Sequence, residues 1–302
     1  MPFARNPAFS TRLPGRKVSR GNRQFPHVNK IHRLIRHILT GALFLAGASC
    51  TTIEVRRDEP VSSWVARDSM RRKSEASVRA SGERINGRPV DQFFQHHSAI
   101  LSDGGTPQLS TAKGETRLIM PETEGYGSAV SLGDGYFLTA AHVPVKGRGG
   151  IFCLERSGRP VVRPYRVVWK DKSADLALLH ADVDVPAVKW AAESALANGA
   201  SVFTFGFGGG EWKPSQGQIL GRRPTGEADR HFDLKLTAPV VAGDSGGPVV
   251  TAEGKLVGIV TRADYRWVQA FGRAWMRSGS HTTRPNLEFL KGIIAKDRVT
   301  GR

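Results

Sequence analysis

Cysteine is almost missing from this chain: 302 residues contain two, Cys50 and Cys153. That excludes a small scaffold stapled by several disulfides and a zinc cluster built on thiolates. Long apolar runs are missing as well. None reaches the ~20 residues a bilayer-spanning helix requires, which excludes a polytopic membrane protein. Acidic residues are absent from positions 1–50, where nine Lys and Arg stand. The whole chain has 44 Lys+Arg against 27 Asp+Glu, a formal charge of +17. Residues 51–124 balance at eleven of each sign, and residues 125–302 hold 24 basic against 16 acidic, a surplus of +8. A nucleic-acid binder concentrates its charge on the folded part, with stacking aromatics among the cations. Here half the surplus lies in an N-terminal stretch with another explanation, so no nucleic-acid partner is expected.

That stretch reads as an export signal. Lys30, His32, Arg33 and Arg36 precede the apolar segment Ile38–Ala48, which runs into Ser49 and Cys50. A basic flank, an apolar run of roughly 7–15 residues and then small residues is the secretory pattern. The Gly-Ala-Ser-Cys ending at Cys50 resembles a bacterial lipoprotein signal, in which the cysteine becomes the lipidated first residue. Gly47 stands where that pattern usually has leucine, and the alternative is an ordinary signal cleaved near Ala48. Residues 1–50 are therefore read as a basic extension plus signal, with a translation start near Val28 left open. The expected location is outside the cytoplasm, in the periplasm or cell envelope, with a lipid on Cys50 as the one membrane tether.

Residues 51–124 read as a linker or pro-segment, largely irregular. Ser62–Ala80 could form a short helix, but its apolar residues keep no clean helical period. His96 and His97 have no third ligand at a sensible spacing and read as a solvated pair. From Gly125 the texture changes to short β-rich runs separated by Gly, Asp and Pro. These are residues 128–132, 136–139, 150–154, 161–169, 176–181, 187–190, 201–207, 218–221, 232–236, 248–251 and 256–261. So many short strands predict an all-β sandwich or barrel pair. Leu132–Tyr136 carries a tight hairpin signal. Pro285 opens a final stretch in which Leu287, Phe289, Leu290, Ile293 and Ile294 form one apolar face, predicting a C-terminal helix over 284–299. Cys153, beside Phe152, reads as a small core residue. Gly206 and Gly208 lack the downstream lysine and helix of a phosphate loop and read as a turn.

Three short motifs carry chemistry. Leu138-Thr-Ala-Ala-His142 follows a predicted strand, Ser173-Ala-Asp175 opens another, and Gly243-Asp-Ser245-Gly-Gly-Pro248 lies in a loop between two. With them the sequence resembles the trypsin/chymotrypsin-like serine peptidases, in particular the disulfide-poor bacterial branch that includes HtrA-type and glutamyl endopeptidases. The likeness covers about residues 125–300, and the motifs stand in the family's order, His then Asp then Ser. It implies a double β-barrel of the trypsin-like kind, about 125–192 and 193–281, with the active site in the cleft between barrels.

The residue types suit that chemistry. A serine hydroxyl is a poor nucleophile unless a base removes its proton, and an imidazole titrates near neutrality. A carboxylate on the other ring nitrogen fixes the tautomer and stabilises the imidazolium. The resemblance thus implies a triad of His142, Asp175 and Ser245, with an oxyanion hole from the N–H groups of Gly243 and Ser245. It also implies a primary pocket with Pro239 on its floor, six residues before the serine, and Thr261 and Ala263 on its wall. No acidic floor is present, so a small or apolar side chain fits best, while Arg262 leaves an acidic one open. Family members activated by cleavage begin with Ile-Val-Gly-Gly, and no such cut site precedes Gly125. No stretch after residue 300 is long enough for a PDZ module.

The sequence thus predicts an exported serine endopeptidase acting on protein or peptide substrates, without metal or organic cofactor, of open oligomeric state. An esterase using the same triad and a catalytically silent adaptor of the same fold are the rivals.

Overall fold

A short strand with one apolar face cannot stay in water alone, and a sheet rid of its edges must close on itself. The computed structural model describes residues 51–54, 63–112, 115–121, 125–270 and 273–301. In it the strands close twice. The first barrel runs antiparallel through Pro160–Asp171, Leu176–His180, Tyr136–Thr139, Gly125–Gly133, Ser98–Asp103 and Arg148–Leu154, the last pairing back on the first. The second runs through Leu256–Ala270, Pro248–Thr251, Ser201–Gly206, Lys213–Thr225, His231–Leu236 and Arg273–Arg284, and its end strands also pair. Thr51–Glu54 adds to the outer half of Leu256–Ala270. The fold is the double barrel that the sequence predicts.

Two apolar clusters fill it. Val202, Ile219, Leu234, Leu236, Val249, Val257 and Val260 pack inside the second barrel. The other cluster runs from Leu101, Phe137, Ile151 and Leu178 of the first barrel to Phe203 and Phe205 of the second. Phe94, from the segment before Ser98–Asp103, stacks on Phe205 with ring centroids 4.8 Å apart, within this one cluster that spans both barrels. Each such side chain is worth about 1.5–3 kcal/mol on burial. Cys153 belongs to this core as a free thiol, and burial pushes its pKa up to about 12, leaving it inert.

Two boundaries differ from the sequence reading. The described part of 51–124 is not largely irregular: it holds helices Ser63–Ser81 and Val90–Gln95, and strand Ser98–Asp103 is a member of the first barrel. The first barrel therefore starts well before Gly125. Residues 187–190 form no strand; Trp190 makes a single bridge to Leu256. Arg284, buried beneath Trp190, donates to the carbonyls of Ala191, Leu256 and Val257 and ties this connector to the second barrel. His97 is not solvated either. Its Nδ1 lies 2.9 Å from the Pro186 carbonyl and its ring packs on Phe93.

The C-terminal helix spans Leu287–Thr300, with Asn286 rather than Pro285 at its start, since the Asn286 side chain accepts from the Phe289 N–H. Leu290 is buried and Ile293 and Ile294 pack beside it. Asp297 takes both guanidinium arms of Arg166, at 2.7 and 2.6 Å, and the Tyr136 hydroxyl at 2.9 Å. The helix thus folds back on the first barrel.

Candidate active site

His142 and Asp175 meet because of strand pairing. Tyr136–Thr139 and Leu176–His180 are antiparallel neighbours with Thr139 opposite Ala177. His142 lies just past the end of one strand and Asp175 just before the start of the other, so both leave the barrel at the same rim. Asp175 has a left-handed backbone, φ 55°, a conformation that Asp and Asn adopt more readily than most residues. The loop before it is held by Asp171, whose Oδ1 accepts from the amides of Ser173 and Ala174 and from the Ser173 hydroxyl. Burial pushes the Asp171 carboxyl up. These bonds and the nearby His231 outweigh that and hold it below the usual range. His231, fully buried, lies 3.3 Å from Asp171 through Nε2, while its Nδ1 accepts from the Asn286 N–H.

The result is a doubly held imidazole. Asp175 Oδ2 lies 2.8 Å from His142 Nδ1, and its Oδ1 accepts from the His142 main-chain N–H at 3.0 Å. A carboxylate on Nδ1 keeps a proton there and leaves Nε2 as the basic nitrogen.

Ser245 comes from the second barrel, on the loop between His231–Leu236 and Pro248–Thr251. It lines the same cleft of about 590 Å³ as His142 and Asp175. No hydrogen bond joins Ser245 to His142 in this structure; such contacts are often open in the free enzyme and tighten with substrate.

The amides beside Ser245 divide into bonded and free ones. In residues 241–247 the N–H groups of Asp244, Gly246 and Gly247 bond to Val241, Val260 and Asp244 carbonyls. In the same stretch the N–H groups of Ala242, Gly243 and Ser245 have no partner among the described residues. The Ala242 carbonyl accepts from Gly209 at 3.0 Å. In a trans peptide that turns the Gly243 N–H the opposite way. Gly243 has φ 99°, a region from which a side chain is excluded. Ser128, fully buried on the first barrel, pins this loop across the seam. Its amide donates to the Ser245 carbonyl at 2.8 Å, and its hydroxyl donates to the Gly243 carbonyl and accepts from the Phe207 amide.

Of the three residues expected at a primary pocket, two reach the cleft. Thr261 and Ala263 line the cleft with Val240, Val241 and Ala242. Pro239 does not. It is buried one residue short of the lining, because the chain turns at Val241–Asp244 and counting back from the serine takes no account of that turn. Arg223 and Arg262, also on the wall, share the carboxylate of Asp233, which accepts from His281 as well. Burial raises the Asp233 carboxyl, but His281 and the two arginines outweigh it and keep its pKa low. Cys50 lies outside the described residues.

Several site residues escape a motif search. Ser128, Asp171 and His231 act through hydrogen bonds to distant or main-chain partners and belong to no pattern. Lys73, on the helix Ser63–Ser81, forms a buried ion pair with Asp244. The glycines around Phe207, read from sequence as a turn, wrap that carboxylate: a Cβ on Gly206 would sit 2.7 Å from the Asp244 Cα.

Residues 127–259 match the model of the trypsin-like peptidase domain family. The chain is similar to the uncharacterized protein y4bJ of Sinorhizobium fredii, 32% identical over 167 residues, which cover 52% of this chain and 25% of that protein. It therefore spans about a quarter of the curated relative it matches. Among solved structures it is similar to an inactive form of the Rv3671c protease of M. tuberculosis H37Rv, with TM-score 0.47 and 20% identity over 68% of this chain and 92% of that one. It is similar to Deg5 as well, with TM-score 0.45 and 19% identity over 56% of this chain and 81% of the other.

Proposed function

We propose that this chain, which carries a trypsin-like peptidase domain over residues 127–259, is a serine endopeptidase that works through an acyl-enzyme on Ser245. The observation that carries the reading is the Asp175 carboxylate on His142 Nδ1, in a cleft that Ser245 also lines. His142 Nε2 takes the hydroxyl proton as Ser245 Oγ attacks the scissile carbonyl carbon. The carbonyl oxygen becomes an oxyanion, facing the N–H groups of Gly243 and Ser245. Collapse breaks the C–N bond, and His142 hands its proton to the departing amine. Water then attacks the ester, giving its proton to His142, and the proton returns to Ser245 as the acid leaves. A single oxyanion donor in such a site is worth about 3–4 kcal/mol in the transition state.

Beside the nucleophile, Val240, Val241, Ala242 and Ala263 offer small apolar surface, and Arg223 and Arg262 offer two cations. A small apolar or an acidic substrate side chain would find complementary surface there.

Fluorophosphonate labelling tests the reading. Wild type should label, and Ser245→Ala and His142→Ala should not. A labelled Ser245→Ala, or an unlabelled wild type, favours the silent adaptor. A peptide-library digest then separates a peptidase from an esterase and gives the pocket's preference.

We also infer that the protein acts outside the cytoplasm, from the basic flank and apolar run before Cys50. Mass spectrometry of the mature N-terminus distinguishes a lipid on Cys50 from plain cleavage near Ala48.

A further inference from the structure

A lysine is a poor choice for the buried face of a helix, because an ammonium taken out of water loses its hydration. Over residues 70–81 of the helix Ser63–Ser81 the buried residues are Lys73, Ala76, Ser77 and Ala80, one helical face with a cation in it. The small neighbours bring the helix close to the strand Lys213–Thr225 on which it packs, and Lys73 reaches inward. Its ammonium meets the Asp244 carboxylate, 171 positions away in sequence. The two residues are 4% and 2% exposed.

Asp244 stands between Gly243 and Ser245, both of whose amides are free. Its carboxylate also accepts from the amides of Gly208 and Val241, at 3.0 and 2.9 Å. Gly209, next in that loop, holds the Ala242 carbonyl and so sets the direction of the Gly243 N–H. The loop fits closely. A Cβ on Gly208 would come within 2.6 Å of the Asp244 carboxylate carbon, and one on Gly209 would run into Met70 of the helix. Helix, glycine loop and carboxylate are one packed unit, and the unit's output is the direction of two N–H groups.

We propose that Lys73 is a positioning residue for the hydrolytic site, its ammonium holding Asp244 inward and thereby aiming the Gly243 and Ser245 amides at the oxyanion. This rests on the peptidase reading above. Lys73 does not line the cleft and touches no substrate. Its work is to neutralise a carboxylate that is buried away from the surface. Without the ammonium, Asp244 carries an unpaired charge in a buried site. The escape is for the carboxylate to swing toward solvent, which rotates the peptides on either side and empties the oxyanion hole. The helix Ser63–Ser81 is then an activating element supplied in cis, with no cleavage needed to create the cation.

The test uses the mature protein, as wild type, Lys73→Met and Lys73→Gln, with fluorophosphonate labelling rates, peptide turnover and thermal melting on the same samples. Lys73→Met should label roughly 100-fold more slowly, the size of losing one oxyanion donor. The loss should fall on kcat, with KM changed by no more than a few-fold, because the cleft wall is untouched. A merely structural role would lower the melting temperature and leave the folded fraction with wild-type kcat. Equal labelling of folded Lys73→Met and wild type overturns the proposal and leaves the peptidase reading intact. If Lys73→Met does not fold, Lys73→Gln decides, since it keeps a hydrogen-bond donor beside Asp244 and removes only the charge: a slow folded Lys73→Gln supports the proposal and a wild-type rate overturns it. No labelling of the wild type removes the peptidase reading and this inference with it.

Discussion

Asp175 grips His142 at two points, the ring through Nδ1 at 2.8 Å and the main chain through its N–H at 3.0 Å. Asp175→Asn therefore separates geometry from charge. Asparagine tolerates the φ of 55° as aspartate does, and its carbonyl can still accept from the His142 main chain. Its NH2 group, however, would face Nδ1 as a donor and force the imidazole proton onto Nε2. The basic nitrogen would then point away from Ser245. A fall in kcat of about 10⁴-fold with an unchanged fold is expected, by analogy with the same change in a known triad. Peptide turnover and a melting curve check it; a variant within ten-fold of wild type would separate Asp175 from catalysis.

What pattern reading sees, and what it misses, follows from how it works. His142, Asp175 and Ser245 are visible because the proposed chemistry would need a nucleophile, a base and an orienting acid of those residue types, with glycines flanking the serine. Alternating or continuous apolar runs reveal strands such as Leu176–His180. Ser98–Asp103 hides because half its residues are polar, although all six are buried. Ser102 satisfies its hydroxyl on the Gly105 and Gly150 carbonyls, and Asp103 accepts from the Lys146 amide. Arg273–Arg284 hides likewise: Ser280, Thr282, Thr283 and Arg284 are buried, and Ser280 and Arg284 donate to main-chain carbonyls. Polar residues are buried at little cost once bonded, but no hydropathy pattern records the partner. The helix Ser63–Ser81 fails the same test, since its inward face contains Lys73 and Ser77.

Stability should fall on mild acidification. His97, His180 and His231 are each held below the ordinary 6.5 of imidazole, burial being the largest cause in all three. Near pH 6 the unfolded chain binds protons at these positions that the folded chain refuses. Unfolding then takes up protons, so stability rises with pH up to about 6.5 and is lost below it. Asp171, Asp233 and Asp297 carry lowered carboxyl values; their contribution is present at neutral pH and lost further into acid, with the same sign. The urea midpoint should therefore be lower at about pH 5.5 than at about pH 7.5, and His231→Gln should flatten part of the difference. Equal midpoints would show that the three imidazoles titrate alike in both states.

Ser128 makes the sharpest test of whether the two barrels must dock to build the site. Its hydroxyl is the one group of the first barrel that bonds both the Gly243 carbonyl and the Phe207 amide, and it is fully buried. Ser128→Ala deletes one oxygen, leaves the main-chain bond to the Ser245 carbonyl in place and opens almost no space. It strands a buried acceptor and a buried donor, which costs about 1–3 kcal/mol each before relaxation. The relaxation open to the Gly243 carbonyl is to turn toward water, and that movement displaces the peptide whose neighbour carries the free N–H. A melting temperature lowered by several degrees is expected, together with a ten-fold or larger fall in kcat, by the order of magnitude of partial loss of one oxyanion donor. Ser128→Thr offers the same oxygen with one more methyl group and should recover kcat ahead of stability, because the added carbon must be packed against Gly206 while the hydrogen bonds can re-form. If instead Ser128→Ala melts lower yet turns over substrate at the wild-type rate, then the loop around Ser245 is held from its own barrel alone.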